Sequence, residues 1–139
     1  MKLFKTLVVE DNITFRQTLL EILSARFPFM VIEEAGDGRE ALQKADTFSP
    51  DLIFMDIKLP DDNGLELTQR IKAKYPEIVV IVLTGYDLPE YREAAFQHGA
   101  NYFLVKGSST EKEILTIVET ILSDLGFSMD IPKGRSQVG

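Results

Sequence analysis

Five side chains suited to nucleophilic or cation chemistry stand where short apolar runs stop. Glu10 and Asp11 follow Leu7, Val8 and Val9; Asp56 follows the run LIFM; Thr84 follows VVIVL; Lys106 follows YFLV. Three carboxylates brought close together repel, and each is driven toward protonation unless a cation shares the site. Ligands that are all oxygen, with no His or Cys among them, favour a hard ion. Mg²⁺ suits such a set, because it keeps several waters and takes one or two carboxylates with phosphate oxygens; Mn²⁺ is the alternative. A carboxylate beside such an ion can attack phosphorus and give an acyl phosphate. A lysine opposite neutralises phosphoryl oxygens as a point charge, and a threonine hydroxyl can donate to the same group. Phosphoryl transfer asks mainly for positioning and charge neutralisation, and this set supplies both.

Composition narrows the alternatives. The chain has 139 residues, enough for one domain. Its formal charge of -7 argues against a surface for nucleic-acid phosphates. There is no cysteine, so neither a disulfide framework nor a thiolate metal site is expected. The single histidine, His98, gives a histidine metal centre or a serine–histidine pair little to draw on. The first apolar run meets Glu10 too soon for a signal-peptide core, and no run reaches the roughly 20 apolar residues of a membrane span. These features predict a cytoplasmic protein with no membrane association.

The elements that must position the five side chains are legible as an alternation. Strands are predicted over residues 4–9, 30–34, 52–55, 78–83 and 102–105, which are rich in β-branched and large apolar residues. LVV, LIFM and VVIVL lack polar alternation, as central strands covered on both faces do, whereas MVIEEA suits an edge. Between them run helical patterns, the first with Phe15, Leu19, Ile22, Leu23 and Phe27, the last with Ile114, Ile117, Val118, Ile121, Leu122 and Leu125. Capping boxes are predicted at Asp37–Glu40, Asp87–Glu90 and Thr110–Glu113, with stops at Gly99 and Gly126. Five strand–helix repeats argue for a parallel sheet with helices on both faces. Ligands of such folds sit at the carboxyl ends of the strands.

Taken singly, each of the five residues has a plain reading. Asp11 caps the first helix; Asp56 opens the turn over residues 60–64; Thr84 is a β-branched strand residue; Lys106 lays its stem on the sheet and reaches water. Their joint placement at the ends of four strands is what argues for function. Glu33 and Glu34 read as a solvated strand end. His98, just before Gly99, reads as a helix-end residue without catalytic role. The apolar stripe of the last helix reads as core first and as a homodimer face second.

With these residues in place the sequence resembles a bacterial response-regulator receiver domain, and in part those attached to LuxR- or NarL-type outputs. The likeness rests on LVVEDN (7–12), DLIFMDIKLPDDNG (51–64), IVLTG (81–85) and GANYFLVKG (99–107) and spans residues 2–126. It implies a flavodoxin-like (βα)₅ doubly wound fold with strand order 2-1-3-4-5. It implies that Asp56 accepts a phosphoryl group from the phosphohistidine of a sensor histidine kinase or a phosphotransfer protein. Glu10, Asp11 and Asp56 would hold Mg²⁺ together with the backbone carbonyl of Lys58, with Glu10 acting through water. Lys106 would contact the phosphoryl group, and Thr84 and Phe103 would form a switch pair that reshapes the face of the fourth helix, fifth strand and fifth helix. The switch would catalyse only its own phosphorylation and dephosphorylation.

The sequence departs from the family pattern at several points. Gly107 follows the lysine where proline is frequent, which removes the usual reason for a cis peptide there. Asp62 and Asn63 replace a frequent Met-Asp, a change expected to alter the loop rather than the chemistry. Lys58 and Tyr86 flank the site, where such positions tune phosphoryl lifetime. Residues 1–126 are read as the receiver domain and 127–139 as a linker or tail, with an output domain or partner protein, DNA-binding among the options, beyond residue 139.

Other functions fit less well. A phosphatase of the aspartate-nucleophile class usually carries a second Asp two positions on, where Lys58 stands. A flavin- or nucleotide-binding protein would want a Gly/Ser/Thr-rich loop after the first strand, where EDNITF is acidic. A receiver-like interaction module without phosphorylation would have no need of the intact set of five.

Overall fold

The computed structural model describes residues 3–109 and 111–127. The described residues fall into two compact units, the first closing at Ser109 and the second holding the helix after it. In the first unit the elements alternate as β1 (Lys5–Val9), α1 (Ile13–Arg26), β2 (Val31–Ala35), α2 (Gly38–Thr47), β3 (Leu52–Met55), α3 (Gly64–Lys74), β4 (Val79–Thr84), α4 (Pro89–Gln97) and β5 (Tyr102–Val105). The second unit contains α5 (Glu111–Asp124).

The five strands form one parallel sheet in the order β2-β1-β3-β4-β5. The predicted order and the edge position of β2 are both observed, and β3 and β5 have the predicted bounds. β1 starts one residue later than expected and ends where expected, while β2 and β4 sit one residue later at both ends, because the ladder rather than the apolar run sets their bounds. Phe4 is buried and its carbonyl accepts from the Val31 N–H at 2.9 Å, just before the paired residues begin at Lys5. Thr84 belongs to β4, opposite Val105.

Burial explains the unalternated runs. All four residues of β3 are buried. Leu7, Val9, Ile53, Met55, Val80, Val82 and Phe103 join one core cluster with Ala41, Ala45, Leu67, Ile71 and Ala95 of α2, α3 and α4. The alternate residues Thr6, Val8, Leu52, Phe54, Ile81 and Leu83 point to the other face and are buried too. Leu19, Leu23 and Phe27 are the buried apolar positions of the α1 segment.

Helix starts depart from the sequence reading in two places. α1 is capped by Asn12, whose side chain accepts from the Phe15 N–H at 2.9 Å, so the plain reading of Asp11 as cap does not hold. The Asp87–Glu90 box does not form. Pro89, with its φ preset for a first turn, starts α4 and makes Leu88 the N-cap, leaving Asp87 one position too early. Asp37 does cap α2, accepting from the Glu40 N–H at 2.8 Å, while the Glu40 carboxylate turns to the Gly36 N–H at 3.0 Å. The Thr110 cap expected for α5 lies outside the described residues, as does the tail from residue 128 onward. In α5, Ile114, Val118, Ile121 and Leu122 are buried, Ile117 is half-buried and Leu125, just past the helix end, is exposed. Gly99 and Gly126 come after α4 and α5 with φ of 103° and 84°, as stop residues do.

Candidate functional site

The parallel sheet carries its strand ends to one rim, and the chemistry sits there. Past β3 the ladder continues for one bond, the Asp56 N–H donating to the Val9 carbonyl at 3.1 Å, so Asp56 is fixed by the backbone of its neighbour strand. Its Oδ1 accepts from the Ile57 N–H at 2.8 Å, which leaves Oδ2 toward Lys106 Nζ at 3.3 Å. Asp56 is 6% exposed. Gly64 presses on it from the start of α3: a Cβ there would lie 1.9 Å from the Asp56 carbonyl oxygen, and the Gly64 N–H donates to the Ile57 carbonyl at 2.7 Å. Only glycine permits that approach.

The two acidic residues after β1 differ. Glu10 is 3% exposed and fully engaged, with Oε1 on Lys106 Nζ at 2.5 Å and Oε2 accepting from the Asn12 N–H at 3.0 Å. Asp11 is exposed, and among the described residues its carboxylate takes neither a hydrogen bond nor an ion pair. One oxygen from each of Glu10, Asp11 and Asp56 lies within 4.8 Å of the others. Opposite ligands of an octahedral Mg²⁺ stand about 4.2 Å apart. The 4.8 Å bound is of the size an octahedral Mg²⁺ site allows, with water completing its shell. Three carboxylates face one contacting ammonium, so the donor set and its charge fit a divalent cation.

Electrostatics reflect this crowding. Burial raises the Glu10 carboxyl above its ordinary value; the Lys106 and Asn12 hydrogen bonds work against that, and the Asp56 charge adds to it. For Lys106 burial pulls downward, but the Glu10 hydrogen bond and the charges of Asp56 and Glu10 outweigh it, so the ammonium is held above the ordinary lysine value. Lys106 stays charged at neutral pH, bridging the two buried carboxylates.

A cleft opens over these groups, lined by Glu10, Asp11, Asn12, Asp56, Lys58, Gly85, Tyr86 and Lys106. Thr84 is not among the lining residues. It is fully buried, and its Oγ1 accepts from the Tyr86 N–H at 3.3 Å. Phe103 is buried in the core under the Arg92 guanidinium, 5.1 Å from the ring centroid. The register places Phe103 opposite Val82 and Thr84 opposite Val105, which puts Thr84 and Phe103 on the same face of the sheet. The Lys106–Gly107 peptide is trans.

Several contributors escaped sequence reasoning. Asn12 both caps α1 and braces Glu10. The Phe15 ring lies 4.7 Å from Lys106 Nζ. Lys58 Nζ rests 5.3 and 5.8 Å from the rings of Tyr86 and Tyr91, which stack edge-to-face 5.7 Å apart. Asp61 reaches from the loop after β3 to the first N–H groups of α2, Gly38 at 2.7 Å and Arg39 at 3.1 Å. Helix periodicity marks which faces are buried, but not which side chain crosses from one loop to another element. Glu33 and Glu34 are not simply solvated: Glu34 pairs with Arg16 at 2.8 Å and Glu33 with Lys44 at 3.6 Å. His98 closes α4 with its Nδ1 2.7 Å from the Ala94 carbonyl, away from the cleft lining.

Known proteins resemble this chain in sequence and in fold. A family model described as the response regulator receiver domain matches residues 6–119. The transcriptional regulatory protein YdfI of Bacillus subtilis is 30% identical over 96% of this chain and 62% of its own length. A protein-glutamate methylesterase/protein-glutamine glutaminase of Geobacillus kaustophilus is 40% identical over 78% of this chain and 31% of its own. The chain thus spans less than two thirds of these relatives. Among solved structures, a CheY-like response regulator receiver domain protein of Methanospirillum hungatei superposes with a TM-score of 0.81 at 27% identity, covering 88% of this chain and 96% of that one.

Proposed function

Because the chain belongs to the response regulator receiver domain family, we propose that it is a phosphorylatable switch whose acceptor is Asp56. The observation that carries this reading is the Asp56 carboxylate, buried and braced through Oδ1, with Oδ2 turned to Lys106 beside Glu10 and Asp11. Oδ2 attacks the phosphorus of a phosphohistidine on a sensor histidine kinase or phosphotransfer protein. The P–O bond forms, the P–N bond breaks, and its electron pair returns to the imidazole nitrogen, which takes up a proton.

Lys106 pairs with the transferred oxygens and gives up part of its contact with Glu10. Glu10, Asp11, Asp56 and the Lys58 carbonyl would hold Mg²⁺, or Mn²⁺, which supplies neutralisation of phosphoryl charge when bound. Glu10 is already committed to Lys106 and Asn12, which supports its acting through water. Hydrolysis of the acyl phosphate resets the switch, so the chain turns over no external metabolite.

The readout is the Thr84–Phe103 pair. The Thr84 hydroxyl accepts from the Tyr86 N–H, and it exchanges that contact for the phosphoryl group. Phosphorylation then biases a two-state equilibrium of the segment around α4, β5 and α5. Residues 1–126 act as the receiver and 127–139 as the tether to an output domain or partner. The regulators among the relatives favour a DNA-binding output beyond residue 139, and the acidic chain itself binds no nucleic acid. No described helix is long and apolar enough to cross a membrane, and we assign the protein to the cytoplasm. The apolar stripe of α5 is buried, which favours its core reading over its reading as a homodimer face.

The test is intact-protein mass spectrometry after incubation with a small acyl-phosphate donor and, separately, a phosphohistidine donor. A single phosphoryl adduct is expected with Mg²⁺, lost with chelator and absent in Asp56→Asn. An adduct that survives Asp56→Asn names another acceptor. Failure with both donors, without Mg²⁺ binding, sinks the switch in favour of an interaction module.

A further inference from the structure

Arg16 lies outside the cleft and carries none of the chemistry above, yet its side chain is only 17% exposed. Its Nε donates to Glu34 Oε1 at 2.8 Å, and its Nη1 donates to the backbone carbonyl of Glu10 at 2.5 Å. That carbonyl belongs to the peptide joining Glu10 to Asp11. Fixing the plane of that peptide fixes the direction in which Asp11 leaves the backbone.

The other anchors of this turn hold Glu10 and Asn12. The Glu10 N–H donates to the Ala35 carbonyl at 2.9 Å, and the Asn12 N–H donates to Glu10 Oε2 at 3.0 Å. Asp11 stands between them, exposed, with no side-chain partner among the described residues. With no side-chain contact to hold it, the root of that side chain is set by the backbone alone. Glu34 is itself held, its carbonyl accepting from Lys44 Nζ at 2.6 Å, so the far end of the Arg16 clamp is not loose.

We propose that Arg16 is a positioning residue for the divalent cation: it clamps the Glu10–Asp11 peptide against the end of β2 and so presents Asp11 to the cleft. The inference rests on the reading of Glu10, Asp11 and Asp56 as a cation site. The bond to Glu10 is a charge-assisted hydrogen bond to a carbonyl at a strand end, the kind that fixes geometry rather than contributing a ligand. Lysine cannot replace it, since one ammonium on a flexible stem lacks the planar fork that serves Glu34 and the Glu10 carbonyl together.

The experiment titrates Mg²⁺ into wild type, Arg16→Met, Arg16→Lys and Glu34→Gln by isothermal calorimetry, with urea unfolding of each protein in parallel. Residues that orient metal ligands typically change affinity about 10- to 100-fold when replaced, and Arg16→Met is expected at the lower end, near tenfold weaker. Arg16→Lys is expected to recover part of the urea midpoint lost in Arg16→Met while still binding Mg²⁺ several-fold more weakly than wild type, and Glu34→Gln to weaken binding less. A purely structural Arg16 would lower the urea midpoint and leave Mg²⁺ affinity at the wild-type value in every variant, and that result overturns the proposal. Should Arg16→Met fail to fold, the Arg16→Lys and Glu34→Gln affinities decide. Absence of Mg²⁺ binding by wild type would instead strike the cation-site reading itself.

Discussion

The loops after β3 and after β4 flank the same cleft and are built in opposite ways. After β3 the loop between Ile57 and Leu65 is densely bonded. Gly64 N–H meets the Ile57 carbonyl, Leu59 N–H meets the Asp62 carbonyl at 3.3 Å, and the Asp62 and Asn63 side chains accept from the Asn63 and Leu65 N–H groups at 2.8 and 2.7 Å. Asp61 ties the loop to α2. After β4, Gly85, Tyr86, Asp87 and Leu88 are all exposed, and α4 starts without a side-chain cap. This loop is tied to the rest of the site by the Tyr86 N–H on the Thr84 hydroxyl and by the Tyr86 ring, which meets Tyr91 and Lys58.

The contrast shows where a site of this kind places rigidity. If Asp56 is the acceptor proposed above, its carboxylate must meet a reacting atom and needs a fixed backbone, and the loop that carries it is braced at several points. A segment that must change state needs low local stability. Exposed backbone with few partners costs little to rearrange, and the exposed chain just past Thr84 would suit the proposed switch for that reason.

The largest effect should come from Gly64→Ala, which drives a Cβ into the Asp56 carbonyl at 1.9 Å. We expect a loss of about 3 kcal/mol in urea unfolding. A loss well under about 1 kcal/mol would erase the contrast, since the β3 loop would then yield as easily as its counterpart.

Asp61→Ala tests the tie to α2 through pH. The Gly38 N–H above all, then the Arg39 N–H, hold the Asp61 carboxyl below its ordinary value. A depressed folded value contributes stability above the unfolded value of about 3.9, and that contribution is lost as pH falls through the folded one. The substitution should therefore lower the urea midpoint at neutral pH, with the gap to wild type closing as the medium is acidified below about pH 4. A gap independent of pH would mean that the carboxylate is not what braces the loop.

The smallest effect probes the contrast from the other side. Leu88→Ser supplies the acceptor that α4 lacks at its N-cap. A gain of about 0.5 kcal/mol is expected, with slower amide exchange in the first turn of α4. No gain would show that the loop after β4 already has its helix start satisfied in another way.

Much of this was legible along the chain, for a local reason. Strands covered on both faces must be continuously apolar, so LIFM and VVIVL announced themselves. A parallel sheet sends every carboxyl end to one rim, so Glu10, Asp11, Asp56 and Lys106 could be grouped before any coordinates. Thr84 was grouped with them as well, but its hydroxyl lies beneath the rim rather than in the cleft lining. The register sets Thr84 and Phe103 on one face of the sheet.

Partners from different elements were not legible. Arg16 reaching the Glu10 carbonyl, Asp61 reaching α2, and Lys58 resting on Tyr86 and Tyr91 join residues whose separation in sequence matches no helical or strand period. Caps depended on a competition that pattern alone does not settle: Asn12 took the place offered to Asp11, and Pro89 moved the start of α4 past Asp87. The order of elements and the identity of the groups at the rim were written in the amino-acid sequence, because periodicity and burial are properties of short stretches. Which carboxylate is held by donors and which is left exposed emerged only on folding, because that depends on donors arriving from elsewhere in the chain.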